Sequence, residues 1–305
     1  DWRLLDRPGN GLGMDAVWND EFHHAVHALL TGERQAYYMD YGSASHLLKA
    51  LNNTFVYDGC FNRHRGRTLG TQVGHSGDRF VVCIQNHDQV GNRVFGNRLS
   101  TILSPPQQRL AAGLLLCAPH IPLLFMGEEY GETRPFPYFC SFLDAGLVEA
   151  IRQGRLVEHA ADPKEIGPDP QSNRLFESAR LGWAWPEDSL AAGLRRLYRD
   201  LLAARRHWPA FRDYSDRIGE LLPDDTSARV LRLSRGSRTS DDTTLVACFN
   251  LTGNEQPLDD HMHDFELLLT SEASRYRGTR RPSQPIQSLL PYEFQIYGPS
   301  HWNRP

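Results

Sequence analysis

The feature that most constrains the fold is a strand, helix, strand pattern in the middle of the chain. Residues 80–85 (FVVCIQ) and 121–126 (IPLLFM) are short, continuously apolar runs. Such runs are typical of strands buried on both faces of a parallel sheet. Between them, Ser104 and Pro105 predict the start of a helix over residues 105–118. The pattern therefore predicts a βαβ unit within an α/β fold.

The residues before this unit contain two further helix patterns and one long interruption. Asn19 or Asp20 predicts the N-cap of a helix whose apolar side chains recur at helical spacing until Gly32. A second helix is predicted to begin at Ser43. Residues 58–79 then break all periodicity. We interpret this stretch as a long loop, a class of segment that often carries function.

The last third of the chain predicts a separate β-domain. A helical pattern over residues 145–210 is followed by short runs, separated by turn residues, with the sequences VLRLSR, TLVACFN, FELLLT and YEFQIYG. Such spacing is typical of a small antiparallel domain. We therefore predict an α/β domain over residues 1–212 and an antiparallel β-domain over residues 213–305. Apart from the two apolar runs, only residues 14–18 predict a further parallel strand, so the α/β part is predicted to be the end of a larger architecture.

Composition excludes several classes of function. The formal net charge of -4 gives no basic field for phosphate backbones, so we predict no nucleic-acid partner and interpret the arginine clusters at 61–67 and 275–282 as solvated loops. No apolar run is long enough to span a bilayer, so no membrane association is predicted. Five cysteines without a CxxC spacing favour free thiols in a reducing cytoplasm. We predict no cofactor and no metal site.

Polar side chains follow both apolar runs at the point where each predicted strand ends. Asn86, His87, Asp88 and Gln89 come directly after the first run, and Glu128 and Glu129 follow the second. In parallel α/β folds ligands bind at this edge of the sheet. An isolated aspartate there would more often be a helix cap or an ion-pair partner. Four consecutive hydrogen-bonding side chains instead favour a site for a polyhydroxylated ligand.

Two further clusters have more than one interpretation. His23 and His27 have a spacing that places metal ligands on one helix face, but polar contacts near a sugar site are the favoured interpretation because the HExxH pattern is absent. Tyr37, Tyr38 and Tyr41 are either core aromatics or surfaces on which sugar rings stack. The sequence leaves those two roles open.

Four sequence blocks carry a resemblance to a known family. They are, in chain order, DAVWNDEFHHAVHALLTGE, AYYMDYG, IQNHDQVGNRVFGNRLS and PLLFMGEEYGE. Together they resemble the α-amylase superfamily of glycoside hydrolases and, within it, the maltooligosyltrehalose trehalohydrolases. The resemblance is strong over about residues 1–145 and weaker beyond. It implies the C-terminal part of a (β/α)₈ TIM barrel followed by a small antiparallel β-sandwich.

The resemblance also implies an activity and a set of site residues. It implies retaining hydrolysis of the α-1,4-glucosidic bond next to the trehalose end of a maltooligosyltrehalose or related α-glucan. By motif, Asp88 matches the carboxylate that stabilises the transition state, and His87 would bind the same sugar ring. The other implied substrate-binding or bracing residues are Asn86, Gln89, Arg93, His23, Glu128 and Tyr38.

The sequence departs from the family pattern in one respect that bears on activity. No residue matches the family's nucleophilic aspartate or its acid glutamate, and both would lie upstream of Asp1. We therefore expect a C-terminal part of a longer enzyme that is inactive alone, with the missing N-terminal part as its partner. The alternatives are an α-1,4-glucan branching enzyme, which the NHDQVGNR string disfavours, and a carbohydrate-binding remnant without catalysis. Oligomeric state stays open.

Overall fold

The computed structural model describes residues 2–5, 11–70, 74–158, 167–223, 229–236, 243–258, 265–281 and 288–302. Its helices are α1 (Asp20–Thr31), α2 (Ala44–Asn53), α3 (His87–Gly91), α4 (Leu99–Ile102), α5 (Pro105–Cys117), α6 (Ala145–Glu158), α7 (Asn173–Ser178), α8 (Leu190–His207) and α9 (Pro209–Arg212). Its strands are β1 (Val17–Trp18), β2 (Asp58–Asn62), β3 (Arg67–Gly70), β4 (Phe80–Val82), β5 (Ile121–Pro122), β6 (Arg217–Leu222), β7 (Val230–Arg235), β8 (Leu245–Asn250), β9 (Gln256–Pro257), β10 (Glu266–Thr270), β11 (Ser288–Leu289) and β12 (Phe294–Gly298). None of the helices in these ranges combines the length and the apolar composition needed to cross a bilayer.

A parallel sheet in the order β1-β4-β5 forms the centre of the α/β part in the described residues. Val17 pairs with Phe80, and Val81 pairs with Ile121. The predicted parallel strands at 14–18, 80–85 and 121–126 therefore exist, although each is shorter than its predicted range. Gln85, the first polar residue after β4, is buried, and its side chain accepts a hydrogen bond of 3.2 Å from the backbone N–H of Leu99.

The predicted helix starts are confirmed by their caps. Asn19 accepts a hydrogen bond from the backbone of Glu21 at the start of α1, and Ser43 caps α2. Ser104 and Gln107 form a reciprocal capping box at the start of α5. Gly32 ends α1 with a φ of 79°, a conformation that glycine adopts without strain. Local polar chemistry thus sets these helix boundaries.

The prediction that residues 58–79 form a loop throughout was wrong, because β2 and β3 pair there as an antiparallel hairpin. Two local features close its turn. The Asn62 side chain accepts a hydrogen bond from the backbone of Arg65, and Gly66 has a φ of 61°. At Gly70, with a φ of 78°, a Cβ atom would lie 1.7 Å from the carbonyl oxygen of Tyr57. Residues 71–73 lie outside the described residues.

An antiparallel sheet in the order β10-β12-β8-β7-β6 follows α9 in the described part of the chain. Four of its strands coincide with the predicted runs, whereas β6 was not predicted. The sheet packs against α5 at a close approach, where a Cβ atom on Gly113 would lie 2.4 Å from the Phe294 ring. Leu110, Leu197 and Phe294 are all fully buried in one shared core. The division into residues 1–212 and 213–305 stays a prediction.

Candidate functional site

The polar residues after β4 form the short helix α3, and its cap determines which of them face outward. The Asn86 side chain accepts a hydrogen bond from the backbone N–H of Gln89 at 2.8 Å. Asn86 and Gln89 are buried, whereas His87 and Asp88 are exposed. The cap therefore places the Asp88 carboxylate in solvent at the carboxyl end of the parallel sheet, which is the edge where α/β folds bind ligands.

A second carboxylate reaches the same edge from the neighbouring strand. Asp20 follows β1, and partial burial together with the negative charge of Asp88 raises the pKa of its carboxyl. The rings of Trp18 and His87 lie edge to face with centroids 6.2 Å apart. Asp88 Oδ1 accepts a hydrogen bond of 2.7 Å from Asn92 Nδ2. The edge thus presents acceptor oxygens beside an aromatic surface, an arrangement suited to hydroxyl groups on a ring.

Arg93 is held in place by the carboxylate of Glu33, a residue that the sequence analysis did not name as a site residue. Its guanidinium donates two hydrogen bonds to Glu33, at 2.8 and 3.1 Å. His27 Nε2 contacts the same carboxylate at 3.0 Å. The contacts with His27 and Arg93 lower the pKa of Glu33 to about 2. The ion pair between Glu33 and Arg93 therefore persists at any physiological pH. Glu33 is the last residue of the first resemblance block, but the sequence analysis assigned no role to it.

His23 and Tyr38, both implied as substrate-binding residues, lie in the interior. His23 Nδ1 contacts the carbonyl oxygen of Ile84 at 2.7 Å, so this nitrogen carries the proton. Its Nε2 then accepts a hydrogen bond of 2.8 Å from the Tyr38 hydroxyl. Burial and the neighbouring His27 keep the pKa of His23 well below its usual range, so the ring is neutral. These residues fix α1 against the end of β4 and do not share the exposed surface of Asp88.

Glu128 is buried and does not share the exposed surface of Asp88. It follows β5, is 5% exposed, and its Oε1 accepts a hydrogen bond of 3.2 Å from the Tyr198 hydroxyl of α8. Its Oε2 is buried without a hydrogen-bond partner among the described atoms. Burial raises the pKa of Glu128 to about 8. The side chain therefore joins α8 to the end of the parallel sheet as a neutral acid.

This burial predicts a pH dependence of stability. Because the folded-state pKa of about 8 exceeds the unfolded value of 4.5, folding favours the protonated acid. The contribution of Glu128 is complete below about pH 4.5 and is lost as the pH rises through about 8. We expect Glu128→Gln to flatten the decline of the free energy of unfolding between these limits, by at most about 5 kcal/mol at roughly 1.4 kcal/mol per pKa unit. Urea unfolding of both proteins across this pH range measures the difference, and parallel curves would contradict the assignment.

An open cleft of about 740 Å³ adjoins this edge through Trp18 and Asp20, and Asp88 is not among its lining residues. It runs between the start of α1 and the β2–β3 hairpin, and its walls include Trp18, Asp20, Glu21, His24, Tyr37, Tyr41, Asn62, His64, Arg65 and Arg67. Trp18 is 55% exposed. Of the three tyrosines with open roles, Tyr37 and Tyr41 line the cleft, whereas Tyr38 does not line it. The hairpin residues of the cleft lie in the stretch that was interpreted as a long loop of a class that often carries function, but no residue of that stretch was named as a site residue.

The histidines of α1 contact one another and the tyrosines. His27 stacks on Tyr38 with ring centroids 4.4 Å apart, and His24 lies 5.0 Å from Tyr37. Burial and the neighbouring His27 lower the pKa of His24 to about 3, so its ring is neutral. A neutral imidazole both donates and accepts a hydrogen bond. The α1 face of the cleft is therefore aromatic and uncharged around His24.

Comparison with known proteins identifies extensive similarity over part of several longer chains. No protein-family model matches the chain. A malto-oligosyltrehalose trehalohydrolase of Saccharolobus solfataricus is 43% identical over 199 residues, which is 65% of this chain and 34% of the relative. Another of the same name from Brevibacterium helvolum is 37% identical over 281 residues, which is 90% of this chain and 46% of the relative. The chain thus spans less than half the length of these curated relatives.

Solved structures also match this chain over part of a longer protein, and they bear on its fold. A crystal structure described as an alpha amylase from Salmonella typhimurium is 34% identical and superposes with a TM-score of 0.77. The match covers 96% of this chain and 48% of that one. A multi-modular glycogen-degrading pneumococcal virulence factor matches with a TM-score of 0.57 at 14% identity, which bears on the fold alone. The α/β architecture is therefore that of α-amylase-type proteins.

Proposed function

Since the chain belongs to the malto-oligosyltrehalose trehalohydrolase family of the α-amylase superfamily, we propose that it supplies one catalytic carboxylate, Asp88, to a glycoside hydrolase. The proposed reaction is retaining hydrolysis of the α-1,4-glucosidic bond beside the trehalose end of a maltooligosyltrehalose. The observation that carries the proposal is the exposed Asp88 at the carboxyl end of the parallel sheet. Its neighbour His87 contacts Trp18, which lines a cleft with aromatic and arginine walls.

The proposed role of Asp88 follows from its position and charge. An ionised carboxylate can accept hydrogen bonds from two hydroxyl groups of one sugar ring. Bonds of this kind strengthen as positive charge develops on the ring in an oxocarbenium-like transition state, so they lower the barrier. His87 is exposed on the same helix and can donate to the same ring. Asn86, Gln89 and Arg93 act beneath them as braces, because their own partners are in the protein.

We also infer the architecture in which this carboxylate works. In this proposal β1, β4 and β5 are the last strands of a (β/α)₈ barrel, and residues 213–305 form a β-sandwich. The superposition on the Salmonella structure supports both inferences. Retaining hydrolysis needs a nucleophile and an acid about 5 Å apart. No residue here matches either motif, so we propose that residues 1–305 do not turn over substrate unaided and that an N-terminal part supplies both groups.

Two proteins test this proposal against maltotriosyltrehalose. One is the 305-residue chain. The other is a chimera in which the matched segment of the Brevibacterium helvolum relative is replaced by this chain. We expect free trehalose from the chimera and none above the blank from the chain. Turnover by the chain at an ordinary enzymatic rate would refute the division of catalytic groups.

The products also separate the proposed hydrolase from a transferase. We expect the chimera to leave the branch content of amylose unchanged, because water and not a second glucan accepts the glycosyl unit. New α-1,6 branches would instead identify a branching enzyme. A folded chimera that releases no trehalose would contradict the hydrolase proposal itself.

A further inference from the structure

Asp88 has a hydrogen-bond partner that is itself held by a distant helix. Asn92, the residue after α3, donates from Nδ2 to Asp88 Oδ1 at 2.7 Å. The other end of the same amide, Oδ1, accepts a hydrogen bond of 3.2 Å from Arg155 Nη1. Arg155 lies on α6, 63 residues further along the chain. A continuous chain of hydrogen bonds therefore joins α6 to the exposed carboxylate.

We infer that Arg155 is a positioning residue that sets the orientation of the Asn92 amide and, through it, the Asp88 carboxylate. An asparagine side chain presents a donor from one end and an acceptor from the other. The guanidinium has only donors, so it selects the orientation in which Oδ1 faces α6 and the NH₂ group faces Asp88. The reversed amide would place two acceptor oxygens against each other. This inference rests on the proposed role of Asp88.

A second contact makes Arg155 suited to this role. Its Nη2 donates to the carbonyl oxygen of Gly91 at 3.1 Å, so one planar group contacts both the last residue of α3 and the side chain of Asn92. The guanidinium also lies 4.9 Å above the Tyr138 ring. These contacts hold the two nitrogen donors at fixed positions. A lysine has a single ammonium group and does not reproduce the pair of contacts.

The rest of α6 indicates that the link is specific. Every described side chain of this helix is exposed or only partly buried, so packing does little to attach it. One turn before Arg155, Arg152 pairs with Asp169 at 2.8 Å, and within the described part of the chain it makes no hydrogen bond to α3. Arg152 therefore provides a matched control, since Arg152→Ala removes a guanidinium from the same helix and leaves the Asn92 contact intact.

The orientation of Asn92 can be measured in the 305-residue chain without any catalysis. We expect the side-chain amide protons of Asn92 to show a hydrogen-bonded NMR shift and slowed exchange with solvent. Arg155→Ala should remove both, Arg155→Lys should restore them only in part, and Arg152→Ala should leave them unchanged. An unchanged Asn92 signature in Arg155→Ala would overturn the inference, as would an equal loss in Arg152→Ala.

Activity of the chimera gives the second readout. We expect Arg155→Ala to lower kcat roughly ten- to a hundredfold with little change in KM, because the misplaced carboxylate acts in the transition state. Asn92→Ala should lower kcat by the same factor as Arg155→Ala. The double variant should lose no more kcat than either single variant. Additive losses would overturn the inference. If the unmodified chimera is inactive, the proposed hydrolase function fails, while the NMR experiment still decides whether Arg155 orients Asn92.

Discussion

Replacing Asp88 with asparagine in the active chimera is expected to lower kcat roughly a thousandfold while KM changes only a few-fold. The exchange keeps the size of the side chain and its contact with Asn92 but removes the negative charge. Electrostatic groups that act on the transition state contribute about this much in other enzymes. Because the ground-state sugar still finds hydrogen-bonding atoms, the loss should fall on kcat and not on binding. Initial rates of trehalose release over a range of substrate concentrations separate the two constants.

The matched control for this experiment is Asp78→Asn. Asp78 is also an exposed aspartate near β4, but it precedes the strand and so lies at the opposite end of the sheet. We expect Asp78→Asn to keep the activity of the unmodified chimera. If both variants lose activity equally, the effect is a general loss of charge or folding and Asp88 has no special role. If Asp88→Asn keeps full kcat, the carboxylate does not stabilise the transition state.

The parts of the fold that sequence could predict are those decided by neighbours in the chain. The caps at Asn19, Ser43 and Ser104 bond to backbone groups within three residues. The residues that predict each helix start are therefore the ones that make the capping hydrogen bond. The hairpin of β2 and β3 was missed for a related reason. Its strands are short and mostly exposed, so they show no apolar alternation, and pairing across the turn creates them.

The sequence indicated where the candidate residues lie in the fold but not which contacts they make. Polar residues after a buried strand mark the ligand edge of a parallel sheet, and Asp88 does lie exposed there. The same rule placed Glu128 at the site, yet its side chain turns inward to Tyr198. The direction in which such a side chain points depends on the backbone conformation after the strand, which the sequence pattern does not specify. Glu33 and Arg155 act through contacts 60 and 63 residues away, which no local pattern contains.

The β-sheet part is joined to the α/β part by a buried ion pair, and we expect the loss of one partner to destabilise the fold strongly. Arg109 of α5 is bonded through Nε and Nη2 to Oε1 of Glu272, which follows β10. Their side chains are only 4% and 1% exposed. The other oxygen of Glu272 accepts hydrogen bonds from the backbone and hydroxyl of Thr279 at 2.9 and 3.1 Å. The carboxylate is thus fully satisfied only while Arg109 is present.

Arg109→Met is therefore expected to lower the free energy of unfolding by about 3–5 kcal/mol, since it leaves the Glu272 charge buried without its partner. Adding Glu272→Gln should recover part of this loss, because the neutral amide oxygen still accepts from Thr279. The control is Arg232→Met, which breaks the more exposed pair with Glu220 and should cost at most about 1 kcal/mol. Urea unfolding measures all three variants. If Arg109→Met costs no more than Arg232→Met, burial adds nothing to the pair. The other contacts between the two parts of the chain, among them the shared apolar core and the hydrogen bond from Tyr276 to Asp200, then account for their association.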